Sequence, residues 1–339
     1  MNLKSVTDVE LTRRQLLAGA VGGGTAVGGG VAFYNVFLGY DRFTGTNLTI
    51  QELDTVVSDE LSPSGEHVAT VDGYRIEQHD GIVSIRDDDR IAEFDPTVDE
   101  PADAAVVDDD LELEGGPLEE LVADLAALEA GEVRFVYDQS PAFFDRLESE
   151  PTRPFTASAL RGRRIAAVDP GLVETFAGVD PADTRALVTG LAEGFREYSS
   201  YDVARYVAGS IEDNVIFGRR DLRRHFESPA DFEALVAGEN DGLFCTELTR
   251  RAMEAFQAIP APEQSHPVFT GYVCDYRHKH YYLLLASVLR VDGELVIPVT
   301  FLDYMYSTLY DDFRVRWALG EGIEAYDSRH RADEIRWYG

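Results

Sequence analysis

An α+β fold is predicted for this chain of 339 residues, because helical and strand patterns occupy separate stretches instead of alternating. In the C-terminal half, a helical pattern extends from Cys245 to Gln257, and strand patterns follow it from Val268 to Phe301. The Asp292-Gly293 dipeptide within that run is a hairpin signal. A helix followed by antiparallel strands is the order that this fold class requires.

The first 40 residues predict an export signal or a membrane anchor. Arg13 and Arg14 directly precede an uncharged, Gly- and Ala-rich stretch from Leu16 to Tyr40, as in twin-arginine signals. The stretch is long enough to span the roughly 30 Å hydrocarbon core of a membrane. We therefore expect export by the twin-arginine route, to the extracellular space or the outer face of the cell membrane. The segment is then either cleaved or kept as a membrane tether.

The charge balance predicts a protein adapted to concentrated salt. Asp and Glu number 62 against 30 Lys and Arg, so the formal net charge is −32. Such a charge repels itself in dilute buffer, whereas at about 1 M salt the Debye length falls to about 3 Å and screens the repulsion. We therefore expect an extreme halophile as the source. Nucleic acid is not expected as a partner, because the sequence has no basic stripe to neutralise phosphates.

Four segments are predicted along the chain: the leader over residues 1–40, a β-rich region with an acidic linker over 41–116, a helical or mixed accessory region over 117–194, and a C-terminal domain over 195–339. The β-rich region shows alternating strand patterns between Asp-Gly turns. Its acidic tract, Asp95 to Gly116, predicts a loop or linker with solvated carboxylates.

Amphipathic patterns and end signals predict further helices and strands. The predicted helices are Pro117 to Glu129, Ala182 to Tyr198, Ser200 to Asn214 and Asp231 to Ala237, in addition to the one that begins at Cys245. The predicted strands are Val268 to Cys274, His280 to Val291 and Glu294 to Phe301.

Cys245 is the candidate nucleophile, because it lies in the first turn of a predicted helix. There the free backbone N–H groups and the helix dipole favour a thiolate and can bind an oxyanion. His280 begins a later strand, and Asp303 follows the next one. A Cys that faces a His and an acid on neighbouring strands predicts a triad in which His takes the thiol proton and Asp orients the ring.

Residues from about 195 to 305 resemble the transglutaminase-like domain family of the papain-like cysteine superfamily. The segment from Cys245 to Ala261 is similar to that family's Cys helix and the turn after it, and His280-Tyr281-Tyr282 is similar to its His strand. The resemblance implies a papain-like core, in which the Cys helix packs on antiparallel strands. It also implies hydrolysis of a peptide or amide bond in a peptide or protein substrate by Cys245, His280 and Asp303. We expect no cofactor and no metal.

Two departures from the family pattern and one rival histidine leave alternatives open. Tyr282 stands where the family usually has Trp, and Thr300 falls where its acid would align, so either Asp303 or no residue is the acid. His278 competes with His280, because residues two apart in a strand lie on one face. The domain is then either an enzyme or an inactive fold that acts as a cell-surface binding or assembly module.

The remaining cysteine and histidines are predicted to have structural and not catalytic roles. Cys274 is expected in the core of a strand, although a disulfide with Cys245 would silence the nucleophile. The other histidines are expected at the surface: His67, His79, His225, His266 and His330.

Overall fold

A computed structural model of the chain describes residues 61, 63, 67–161, 168–202, 205, 208, 230–275, 280–305 and 332–337. The predicted leader lies outside the described residues, and so do His225, His278, His330 and most of the helix predicted from Ser200. In the part of the chain that is described, no helix is both long and apolar enough to cross a membrane.

A meander of four short antiparallel strands opens the fold: β1 (His67–Val71), β2 (Tyr74–His79), β3 (Ile82–Arg86) and β4 (Arg90–Phe94). The Asp72-Gly73 and Asp80-Gly81 dipeptides join the first three strands, and all four of these residues have positive φ. Two consecutive residues with positive φ are what a tight type I′ hairpin turn requires. The prediction of strands and Asp-Gly turns in this region is therefore confirmed.

The acidic tract that follows contains a helix, α1 (Pro101–Asp110), so the prediction of a loop was wrong there. Asp108 is buried instead of solvated. Its carboxylate accepts hydrogen bonds from the backbone N–H groups of Leu118 and Glu119, at 3.1 and 2.8 Å, where helix α2 (Pro117–Glu129) begins. Sequence patterning missed this helix because its end is fixed by capping another helix, which is a tertiary contact.

The elements after α2, in chain order, are β5 (Val133–Tyr137), α3 (Ser140–Ser149), α4 (Pro154–Ala159), α5 (Pro170–Ala177), α6 (Thr184–Tyr198), β6 (Ser200–Tyr201), α7 (Phe232–Ala237), β7 (Gly242–Leu243), α8 (Cys245–Phe256), a 3₁₀ turn (Ala261–Glu263), β8 (Phe269–Asp275), β9 (His280–Ala286), β10 (Leu289–Val291), β11 (Glu294–Leu302) and β12 (Glu334–Arg336).

Two boundaries differ from their predictions in a way that matters for the fold. Ser200, predicted to begin a helix, lies in β6, which pairs in parallel with β7 and so holds the approach to α8. The single strand predicted from His280 to Val291 is divided into β9 and β10, and both pieces pair with β11.

The larger sheet has six strands and places the ends of β9 and β11 beside each other. β11 pairs antiparallel with β9 and β10 along one edge and in parallel with β5 along the other. β8 pairs antiparallel with β9, and β12 with β8. α8 packs against β8 and β9. Helices that cover largely antiparallel sheets confirm the α+β class.

Burial of apolar side chains holds these layers together. One buried cluster lies on the larger sheet and includes Tyr282, Leu284, Ile297 and Phe301. A second lies between the meander and α2. At about 25 cal/mol per Å² of buried apolar surface, such clusters are the main stabilising term of the fold.

Candidate functional site

Cys245 is the first residue of α8 and follows β7 after one residue, Phe244. Its carbonyl accepts a hydrogen bond from the Thr249 hydroxyl at 2.8 Å. The residue is 5% exposed, and its thiol is free. Because the first N–H groups of a helix have no carbonyl partner within that helix, the backbone at this point can donate hydrogen bonds to an anion.

His280 begins β9 and connects the thiol to an acid. It donates a hydrogen bond from Nε2 to Oδ2 of Asp303 at 2.6 Å. Cys245 also lies close enough to His280 to raise the pKa of its imidazole. Because Nε2 faces Asp303, the ring nitrogen left for the thiol is Nδ1. The three predicted residues, which are distant in sequence, therefore meet in one buried cluster.

Asp303 is held in place by the chain that follows it. Its second oxygen, Oδ1, accepts a hydrogen bond from the backbone N–H of Met305 at 3.0 Å. One carboxylate oxygen thus faces the imidazole while the other fixes the orientation of the group. This is the geometry in which an acid sets the tautomer and direction of a histidine ring.

The charges around His280 favour its protonated form. Burial is the largest single effect and lowers the pKa, but the charge and hydrogen bond of Asp303, together with those of Cys245, outweigh it. The pKa of His280 is thereby raised to about 10. At neutral pH the imidazole then carries a proton, and its positive charge lies beside the Cys245 sulfur.

The register of β11 decides between Thr300 and Asp303. Phe301 pairs with Leu284, which lies on the same side of β9 as His280 because the two are four residues apart. Directly opposite residues of an antiparallel pair point to one side of the sheet, and that side is shared by Phe301 and Asp303. Thr300 points to the other side and cannot reach the imidazole.

Tyr282, two residues after His280 in β9, packs beside the imidazole. Its ring lies 5.8 Å from the His280 ring at an interplanar angle of 20°, so the two are stacked. The other side of Tyr282 meets Phe301 edge to face at 5.8 Å. The tyrosine ring therefore packs beside the histidine and restricts rotation of the imidazole.

The C-terminal end of α8 is fixed by two side chains that sequence patterning missed. Arg161 donates to the carbonyls of Phe256 and Ile259, both at 2.6 Å. Gln264 donates to the same carbonyls at 2.8 and 3.1 Å. Because the last carbonyls of a helix have no partner inside it, the two side chains stabilise the C-terminal end of α8 and the turn that follows it.

The N-terminal end of α8 is fixed by Glu247 and Arg205, which were also missed. Burial raises the pKa of Glu247 to about 7, against the opposing effects of the Phe244 N–H and the Arg205 charge. A sequence signal for Glu247 did exist, because Glu at the third position of a helix is typical of a capping box. Nothing local indicated Arg205, which lies 42 residues earlier.

The remaining expectations concern the other cysteine, the other histidines and metals. Cys274 lies buried in β8 as a free thiol, as expected for a strand core. His266 is not a surface residue: its ring packs edge to face on Phe144 at 5.4 Å, and its side chain is 14% exposed. Among the described residues, no group of three or more His, Cys, Asp or Glu is placed to hold a metal ion.

Comparisons with known proteins give no relative: no family model, no curated protein and no solved structure matches the chain. The case for a function therefore depends on the geometry and chemistry of the site.

Proposed function

We propose that this chain is a thiol-dependent acyl-transfer enzyme with a papain-like, transglutaminase-like core. Its reaction is the hydrolysis of a peptide or amide bond in a peptide or protein substrate. The observation that supports this most is the contact of His280 with both Asp303, at 2.6 Å, and Cys245 at the start of α8. A base that lies between a nucleophile and an orienting acid is what such a reaction needs.

The reaction begins with the Cys245 thiolate paired to protonated His280. The sulfur attacks the amide carbon, the C–N bond breaks, and His280 gives its proton to the leaving amine while the acyl group remains as a thioester. Water then attacks the thioester as neutral His280 takes its proton. The C–S bond breaks, the sulfur leaves as a thiolate, the carboxylic acid is released, and the starting ion pair is restored. Asp303 keeps Nδ1 directed at the sulfur and stabilises the imidazolium.

Hydrolysis is proposed rather than cross-linking because water is the acceptor that is always present outside the cell. The twin-arginine motif and the net charge of −32 support an enzyme that is exported folded and works in molar salt. Residues 1–40 are either removed or retained as a tether at the outer face of the membrane.

The burial of the site favours a second candidate function. Cys245 is 5% exposed and His280 is fully buried, so a substrate carbonyl needs a path to the sulfur. A fold of this kind without such a path would be an inactive, cell-surface binding or assembly module. Tyr282 in place of Trp points the same way.

Alkylation of the thiol in molar potassium chloride distinguishes the two functions. The full chain is treated with iodoacetamide at neutral pH, and mass spectrometry follows the peptide that contains Cys245. If the protein is an enzyme, we expect Cys245 to be alkylated faster than a free cysteine. If it is an inactive module, we expect the thiol to stay unreacted while the protein is folded.

Release of new amino termini from unstructured protein substrates tests the reaction itself. We expect release by the wild type and by Cys274→Ala, which removes the other buried thiol, and none by Cys245→Ala. Equal release by Cys245→Ala and the wild type would show that Cys245 is not the nucleophile.

A further inference from the structure

We infer that Arg205 and Glu247 form a positioning pair that holds Cys245 in line with His280, an inference that rests on the proposed thiol chemistry. Glu247 is the third residue of α8. Its Oε2 accepts a hydrogen bond from the backbone N–H of Phe244 at 2.9 Å and forms an ion pair with the Arg205 guanidinium. One carboxylate oxygen therefore connects the residue just before the nucleophile to a cation.

Arg205 contacts the same approach to Cys245 at two further points. Its guanidinium carbon lies 4.6 Å from the centre of the Phe244 ring, within the range of a cation–π contact. Its Nη2 lies 3.4 Å from the Gly242 carbonyl oxygen. Phe244, Gly242 and Glu247 surround Cys245 in the chain, so a single guanidinium fixes the backbone on both sides of the nucleophile.

Arg205 is itself held by the strand pair that precedes α8. The Asp202 carboxylate accepts from the Arg205 backbone N–H at 2.9 Å and lies 3.4 Å from Nε of the same residue. The Asp202 N–H in turn donates to the Leu243 carbonyl at 2.8 Å, beside the pairing of β6 with β7. These contacts make the approach to Cys245 one connected unit instead of a free loop.

Such a unit matters because the reaction depends on small distances. The sulfur must stay within hydrogen-bond reach of His280, and a displacement of about 1 Å can cost about a hundredfold in rate. The pair is also suited to concentrated salt. The Arg205 side chain is 5% exposed, and buried ion pairs are screened by salt much less than surface pairs are.

α8 supplies a matched control in Glu254, seven residues after Glu247. Glu254 is buried, and burial raises its pKa as it does that of Glu247, whose side chain is 12% exposed. It pairs with Arg250 at 3.2 Å and with Arg251 at 2.6 Å. Its removal therefore breaks a buried ion pair of the same helix without touching the residues beside Cys245.

The test compares Glu247→Ala with Glu254→Ala in the full chain in molar potassium chloride. We expect Glu247→Ala to slow alkylation of Cys245 by about tenfold or more, because the thiol loses its alignment. Turnover of an amide substrate should show the same loss in kcat with KM changed less than about twofold. Glu254→Ala should lower the unfolding temperature by a similar amount and leave alkylation within about twofold of the wild type.

Two further variants separate a loss of alignment at Cys245 from a general loss of folding. Glu247→Gln keeps an oxygen for the Phe244 N–H and loses the charge, so its alkylation rate should fall between those of the wild type and Glu247→Ala. The double variant Arg205→Met with Glu247→Gln removes both charges of the pair and leaves Asp202, whose side chain is 19% exposed and still accepts a backbone N–H, as a carboxylate that loses a cation. We expect it to fold and still to react about tenfold more slowly.

The inference is overturned if the double variant reacts at the wild-type rate, or if Glu247→Ala and Glu254→Ala slow alkylation equally. Failure of the proposed function is a different result. If wild-type Cys245 reacts rapidly and depends on Glu247, but no amide is hydrolysed, the positioning role stands and the hydrolase does not. An inert wild-type thiol overturns both.

Discussion

Two buried charged clusters of this protein are alike in construction and different in content. One joins Cys245, His280 and Asp303 at the ends of α8, β9 and β11. The other is centred on Asp124 of α2, which is fully buried and pairs with Arg153 and Arg290. Each cluster connects a helix to distant parts of the chain.

In the Asp124 cluster, the carboxylates accept hydrogen bonds from arginine side chains, from a hydroxyl group and from backbone N–H groups. Asp124 accepts from Nε of Arg290 at 2.8 Å, from Nε of Arg153 at 2.9 Å and from the Thr156 hydroxyl at 2.7 Å. Glu120 accepts from the backbone N–H groups of Thr156 and Phe155, at 2.9 and 2.8 Å. Because arginine does not lose its proton in proteins, the two cations of this network keep their charge at all ordinary pH values.

The comparison of the two clusters shows that burial and ion pairing alone do not identify a reactive site. In the first cluster the cation is an imidazole, which can accept and release a proton, and it lies between an acid and a nucleophile. The Asp124 cluster lacks a nucleophile, and Glu120, whose pKa burial raises to about 7, faces backbone N–H groups instead of a thiol. We therefore expect changes in the first cluster to alter reactivity, and changes in the second to alter stability.

The largest expected effect follows from Asp303→Asn. The amide cannot stabilise the imidazolium and can hold the wrong tautomer, so alkylation of Cys245 and amide turnover should fall by about 10² to 10⁴. Rates of alkylation across pH in molar salt measure this loss. An unchanged rate would show that Asp303 only packs against the ring.

Asp124→Ala should produce the opposite pattern. Removal of the acid leaves Arg153 and Arg290 without their shared partner, and breaking a buried pair in this way costs about 3–5 kcal/mol of the free energy of unfolding. Urea denaturation monitored by circular dichroism measures it. The alkylation rate of the folded fraction should remain that of the wild type, and a slower rate would show that the two clusters are coupled.

The stability of the two clusters should depend on pH in different windows. Burial raises the pKa of Glu120 to about 7 from 4.5. Its contribution to the free energy of unfolding is therefore complete below pH 4.5 and is lost as the pH rises through 7. The pKa of His280 is about 10 against 6.5, so its contribution is complete below 6.5 and is lost as pH rises through 10.

Between pH 4.5 and 7 the titration of Glu120 should lower the free energy of unfolding of the wild type by about 3 kcal/mol. Glu120→Gln should remove this fall, which is measured as the change of the unfolding temperature with pH. It should leave the fall between pH 6.5 and 10 in place. His280→Gln should do the reverse. Identical profiles for the two variants would contradict the assignment of the windows.

The smallest effect is expected from an exposed pair. Arg134 and Glu294 connect β5 to β11 through a contact of 3.0 Å, but their side chains are 48% and 51% exposed. Glu294→Ala should change the free energy of unfolding by less than about 1 kcal/mol, and by nothing measurable in molar salt. A loss as large as that of Asp124→Ala would show that exposure does not separate the two kinds of pair.

The sequence by itself determined the elements whose signals are local. The Asp-Gly hairpins, the bounds of α2 and the start of α8 at Cys245 follow from turn residues, apolar periodicity and helix-end signals within a few positions. These signals also made Cys245 and His280 candidates, because a nucleophile at a helix start and a base at a strand start are visible in the chain.

Only the tertiary structure decided which distant residues complete each cluster. Asp303 rather than Thr300 faces His280 because the pairing of β11 with β9 fixes which side each residue points to, and a shift of one residue would reverse it. Arg205 meets Glu247 across 42 positions, and Arg290 meets Asp124 across 166. Such contacts leave no local pattern, because they depend on how the elements pack and not on the residues next to them.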